Sequence, residues 1–169
     1  MRAFMHVLLL PLAVSILLLA TAAQAKPVIA AADFDFLDTS GEAADQSQAH
    51  QQRLVAFSRY LREQLTAGGI RLAALSCTSS RCTATDPGFE TITAIARRAG
   101  ASHVVIGIIR KTSTLIGWVE YSVLDVTDNR SVCGELITYR DDTDESWRRA
   151  ARFLAGQIAS RCDLQVKGK

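Results

Sequence analysis

The chain has 169 residues, 49% of them hydrophobic and 21% charged, four cysteines and a formal charge of +2. That length suits one domain with its own core, and so small a charge argues against a polyanion binder, whose basic residues would be numerous and striped. Here they are scattered: Arg97-Arg98 and Arg148-Arg149 are the only paired arginines, and such pairs suit solvated helix faces.

The chain opens like an export signal. Arg2 gives a positive start, residues 7–20 an apolar run, and Ala23-Gln24-Ala25 a small-x-small cleavage site before Lys26. The run falls short of the roughly 20 apolar residues a bilayer needs, and Pro11 and Ser15 interrupt it. No cysteine follows it, which argues against a lipid anchor. Cleavage after Ala25 would leave a single domain, 26–169, and would take the charge from +2 to +1, because Arg2 is the one charged residue removed. A periplasmic or secreted location is expected, with no stable membrane insertion after cleavage.

Residues 28–36 form the first expected strand, with Val28, Ala30, Ala32, Phe34 and Phe36 on one face and Ile29, Ala31, Asp33 and Asp35 on the other. Asp38-Thr39-Ser40-Gly41 is turn chemistry. From about Gln48 to Ala67, Leu54, Phe57, Leu61 and Leu65 recur at helical intervals until Gly68-Gly69 stops them. Residues 70–75 read as a short strand. Asp86 as cap and Pro87 at the first helical position open a second helix, whose inward face is Phe89, Ile92, Ile95, Ala96 and Ala99.

Residues 103–111 are apolar at successive positions, the pattern of a central strand covered on both faces. Residues 115–126 follow as its neighbour. Thr127-Asp128-Asn129-Arg130 is a hairpin turn and residues 132–139 a fifth strand. A final helix, about 145–161, buries Trp147, Ala150, Ala151, Leu154 and Ile158. The order β-α-β-α-β-β-β-α gives a mixed α/β domain, a sheet of about five strands packed by three helices.

Cys77, Cys82, Cys133 and Cys162 are even in number and fall in the exported part, which argues for disulfides. Three connectivities are open. The spacing favours Cys77–Cys82 and Cys133–Cys162, and the long loop should be worth about 3.5 kcal/mol against about 2 for the short one. Zinc is the rival reading, but Cys-x4-Cys without a paired His-x3-His speaks weakly for it.

Candidate chemistry is sparse. Asp33, Asp35 and Asp38 could hold a hard cation or, with His103, serve a hydrolase as acid and base. The plainer reading has Asp33 and Asp35 bonded to backbone or arginine, Asp38 capping its turn and His103 packed in the core. Asp141, Asp142, Asp144 and Glu145 form an acidic cluster next to Arg148, Arg149 and Arg152, explained by a helix start and surface ion pairs, with Asp144 and Glu145 three to four residues before Arg148 and Arg149. Trp147 should be buried and His50 exposed. No serine elbow, phosphate loop or Cys-x-x-Cys is present, so no cofactor, resident metal or catalytic residue is expected. A small-ligand carrier would need an apolar cavity between sheet and helices.

Two motifs carry a resemblance. Asp33-Phe34-Asp35-Phe36-Leu37-Asp38-Thr39-Ser40 and Asp142-Thr143-Asp144-Glu145-Ser146-Trp147-Arg148-Arg149 resemble the opening and close of an uncharacterised family of small secreted bacterial proteins, one defined by a domain of unknown function. More distantly, Ala31-Ala32-Asp33-Phe34 and the step from Gly100 to Gly107 are similar to the periplasmic domain of the curli secretion channel and the amino-terminal domain of the Tol-system propeller protein. The family implies no activity. The distant likeness implies a module that binds another protein of the cell envelope; the charge balance argues against nucleic acid, and the residues themselves make Asp33, Asp35, Asp38, Trp147 and Arg148 the candidate interaction or polar site.

Overall fold

The computed structural model describes residues 27–78 and 81–164. The stretch 1–25 read as an export signal, Ser79 and Ser80 of the cysteine loop, and the tail 165–169 lie outside the described residues.

The apolar run forms β4 (His103–Lys111), the centre of the sheet. On one side β1 (Val28–Ala31) and β2 (Asp35–Asp38) both pair with it in parallel. On the other side β5 (Ile116–Asp125) pairs antiparallel, and β6 (Ser131–Arg140) continues the meander to the edge. The short β3 (Arg71–Ala73) is the opposite edge, parallel to β1. With α1 (Ser47–Ala67), α2 (Phe89–Arg98) and α3 (Asp144–Arg161), this is the expected mixed α/β order of sheet and three helices.

The sheet has six strands because the first one is broken. Ala31 pairs with Val105 and Asp35 with Ile108, so four steps on one strand run against three on the other. That is a one-residue bulge. Across it the Asp33 N–H leaves the ladder for the Cys82 carbonyl at 2.7 Å, and the Phe34 N–H donates to Ser58 Oγ at 3.4 Å. One extra residue reverses the alternation of side chains. The single-face reading of the first strand is therefore corrected. Ala30 and Ala32 face α2, whereas Phe34 and Phe36 join Ile29 and Ala31 beneath α1 and α3. Phe34 lies flat on Gly107, where a Cβ would stand 2.2 Å from the ring, so only glycine leaves room for it.

Leu54, Phe57, Leu61 and Leu65 of α1 and Trp147, Ala150, Ala151, Leu154 and Ile158 of α3 close the inner face of the sheet in one large cluster. On the outer face α2 covers much less, packing Ile92 and Ala96 on Ala30, Ala32 and Val104. This helix starts later than its sequence signals suggest. A turn closed by the Thr83 N–H on the Asp86 carbonyl at 2.8 Å holds Asp86 and Pro87 outside it, and Gly88, with φ of 101°, is the cap. Thr143 caps α3 through its side chain, which accepts the Ser146 N–H at 3.2 Å. Cys77 pairs with Cys82 and Cys133 with Cys162, the second bond tying β6 to the residue that closes α3. No helix among the described residues is long and apolar enough to cross a membrane.

Candidate functional site

Alternation along β4 puts Lys111 on the same face as Val105 and Ile109, so its side chain is carried into the inner layer at the end of the strand. It is only 2% exposed. Its Nζ lies 2.6 Å from Glu42 Oε2 and 3.1 Å from Asp142 Oδ2, and it donates to Gln46 Oε1 at 3.3 Å. His50, 3% exposed, brings Nε2 to 2.7 Å from the same Asp142 oxygen. Trp147 Nε1–H donates to Asp142 Oδ1 at 2.9 Å, and Arg53 Nη1 stands 3.1 Å from that oxygen. Phe36 packs on His50 at 4.7 Å and on Trp147 at 5.6 Å between ring centres.

Asp142 is thus the shared partner of four side chains. Burial by itself would raise its pKa; the bonds from His50, Trp147 and Lys111, together with the Arg53 charge, bring it down to about 2. Burial likewise works against the Lys111 ammonium, but the bonds to Glu42 and Asp142 outweigh it and hold its pKa above the ordinary lysine value. Both groups are therefore held in their charged forms, each by the other members of the cluster. Mechanically, the cluster ties the loop before α1, the first turn of α1, the end of β4 and the start of α3 to one point.

Two expectations are corrected here. His50 is buried, because the inward stripe of α1 begins at it and runs on through Leu54, Phe57, Leu61 and Leu65. Asp142 is a buried hub rather than a surface partner of the arginines, and Asp144 takes the Arg53 Nε–H at 2.8 Å. Only Glu145 and Arg148, 2.7 Å apart and both about half exposed, form the expected surface pair.

The three amino-terminal carboxylates do not converge. Asp33 accepts the Cys82 N–H at 3.1 Å and Arg62 Nη2–H at 3.0 Å. Asp35 is held by the N–H of Thr85 at 3.2 Å and by its hydroxyl. Asp38 accepts the N–H and hydroxyl of Ser40 at 2.8 and 2.6 Å and lies 3.8 Å from His50 Nδ1 on the inner side. His103 sits at the other end of β4 from Lys111, about 26 Å away at a strand's rise per residue. It is buried, its Nδ1 2.9 Å from Ser102 Oγ, and desolvation lowers its pKa against the pull of Asp125 and Asp163. The acid–base set of the hydrolase reading does not assemble. Among the described residues no group of three or more His, Cys, Asp or Glu side chains is placed to hold a metal ion.

Two surfaces remain open. On the outer face, Leu37, Arg110, Trp118 and Thr138 form one row across four strands, with Asp35, Ile108, Glu120 and Leu136 in the next. Trp118 and Leu136 are 37% and 46% exposed. On the far side of the molecule, α1 and α3 leave a cleft of about 440 Å³ floored by Phe57, Tyr60 and Trp147, with Arg148 on its rim. It lies outside the helix layer, not between sheet and helices where a small-ligand carrier would bind. Trp118 and Lys111 are the residues sequence reading passed over. The period-2 pattern of each strand assigns the face of both.

No curated protein matches the sequence. Among solved structures, the hypothetical protein CT253 from Chlamydia trachomatis is similar, with 12% identity over 80% of this chain and 96% of that one and a TM-score of 0.52. That likeness shows the fold. The PelC dodecamer from Paraburkholderia phytofirmans matches with 16% identity over 86% of this chain and 91% of that one, TM-score 0.46. TolB from Acinetobacter baumannii matches with 20% identity over 80% of this chain but 28% of that one, TM-score 0.48. A family model matches residues 27–158, nearly everything the structure describes, and the chain belongs to the family described as "Protein of unknown function (DUF2380)".

Proposed function

We propose that this is an exported accessory protein of the bacterial cell envelope, released by cleavage after Ala25, that acts by holding another protein and performs no reaction. The observation that carries the reading is the outer face of β4, β5 and β6. A tryptophan and a leucine stand there in adjacent rows, interleaved with Arg110 and Glu120, which lie 3.8 Å apart. A large aromatic and an arginine beside aliphatic side chains are the composition of binding hot spots, and a half-exposed tryptophan on an open sheet stabilises its own fold little. The signal-like start and the two disulfides support an oxidising, extracytoplasmic location. The dispersal of Asp33, Asp35 and Asp38 onto separate internal partners supports binding over catalysis.

Site-specific photocrosslinking in the living envelope tests this. A benzophenone side chain at position 118 or 136 should give a discrete heavier adduct, and one at Ser160, exposed on α3, should not. Equal adducts at all three positions, or none at 118 and 136, would overturn the reading.

A further inference from the structure

The cleft between α1 and α3 has a chemistry that the outer face lacks. Along α1 its lining runs from Ala49 through Gln52 and Ala56 to Tyr60, a helical stripe about 16 Å long at 1.5 Å per residue. The two alanines, where α1 elsewhere carries long side chains, leave the trough open. Its accessible floor is the partly buried ring of Tyr60, beneath which Phe57 and Trp147 are only 2% exposed. Its rim carries Arg53, Arg59 and Arg148 against one carboxylate, Asp144.

Arg53 is committed to Asp142 and Asp144, but the other two rim charges are held only loosely. Arg59 lies 3.7 Å from Glu63 and Arg148 2.7 Å from Glu145, in pairs exposed enough for each to be worth about 0–1 kcal/mol. Just beyond, Arg152 donates Nη2–H to the Tyr60 hydroxyl at 2.8 Å and has no carboxylate within 4 Å among the described residues. A ligand bearing carboxylates can therefore take these guanidiniums at small cost, each exchange replacing a weak exposed pair by a less exposed one.

We infer that the α1–α3 cleft is a docking site for an acidic amphipathic helical segment of a partner protein, its apolar residues on Ala49, Ala56 and Tyr60 and its carboxylates on Arg59 and Arg148. The trough's length of about three helical turns and its i, i+3, i+4, i+7 lining fit a third helix laid along the seam. A small anion would leave the trough of Ala49, Ala56 and Tyr60 unused. The inference rests on the reading of the protein as a binding module but concerns a different surface from the one that carries it.

The test is selection of a phage-displayed library of random sixteen-residue peptides on the purified 26–169 chain with its disulfides intact. Selected peptides should be rich in Asp and Glu around Leu, Phe or Trp at helical spacing. Their affinity should fall about tenfold or more in R59E/R148E and in A56W, all at exposed positions, with melting temperature unchanged. Peptides that are not acidic, peptides indifferent to these variants, or no selected peptide at all would overturn the inference. Peptides lost only in W118E/L136E would overturn it too, while leaving the outer-face reading intact. If A56W unfolds the chain, R59E/R148E alone decides.

Discussion

The protein has two tryptophans, one on each side of the same sheet, and their surroundings differ in every respect. Trp147 is packed among Phe36, His50, Phe57 and Tyr139 and spends its N–H on Asp142. Trp118 lies across from Arg110 and Thr138 on a face that α2 leaves largely uncovered. Inside, large apolar side chains pack on one another and the charges of the cluster are taken up by its own members. Outside, residues of the same kinds are left unfinished. One helix pair against one shorter helix produces the asymmetry, so the open outer face is a consequence of how far the helices reach along the strands.

The contrast breaks most visibly at its hub. Asp142→Ala takes one of two carboxylates from the Lys111 ammonium, which keeps Glu42, and leaves His50 Nε2 and the Trp147 N–H without their acceptor; denaturant melts should show a loss of about 3–5 kcal/mol, at about 1–3 kcal/mol for each buried group left short of a partner. A loss below about 1 kcal/mol, the range of exposed pairs, would mean that the cluster is solvated and the two sides are more alike than their geometry indicates.

Next in size is the covalent tie. Replacing Cys133 and Cys162 together by serine should cost about 3.5 kcal/mol and loosen the inner layer where α3 meets β6; the Cys77 and Cys82 double variant, under α2, should cost about 2. Differential denaturation of the two pairs orders them.

Acid sharpens the same comparison. Asp142 has a folded-state pKa below its unfolded one, so its contribution is complete above the ordinary carboxylate value near 3.8 and is lost as pH falls through about 2. The depression corresponds to about 2 kcal/mol at neutral pH. Urea melts between pH 5 and 2 should show that decline in the natural protein and a flatter curve in Asp142→Asn.

Smallest of all is the expected effect outside. Trp118→Ser and Leu136→Ser should each cost no more than about 1–2 kcal/mol, since more than a third of each side chain already faces solvent, while abolishing partner binding. A melting temperature that falls as far as in Asp142→Ala would erase the distinction between the faces.

The β-α-β-α-β-β-β-α order was legible because helix and strand periods, Gly68-Gly69, Asp128-Asn129 and the Thr143 region each mark their boundaries locally. The broken first strand was not. A bulge is set by what the extra residue bonds to, here Cys82 and Ser58, which lie far away in sequence. The inner cluster was half legible: strand alternation assigns Lys111 to the face of Val105 and Ile109, and helix phase assigns His50 to the stripe of Leu54. That both meet Asp142 depends on where α3 begins relative to the end of β4, a tertiary fact. Read alone, Asp142 among Asp141, Asp144 and Glu145 resembles an ordinary charged helix start. The open outer face was likewise hidden, since a half-covered strand and a fully covered one differ only in how far the neighbouring helix extends.

Hydroxyl-radical footprinting resolved by mass spectrometry follows both tryptophans at once, with no substitution needed. In the purified protein Trp118 should oxidise rapidly and Trp147 slowly, in keeping with exposures of 37% and 2%. Repeated with the protein in its own envelope fraction, oxidation of Trp118 should drop severalfold while Trp147 stays as it was. An unchanged Trp118 rate in the envelope, or equal rates for both residues in the free protein, would contradict a closed inner face and an outer face that meets a partner.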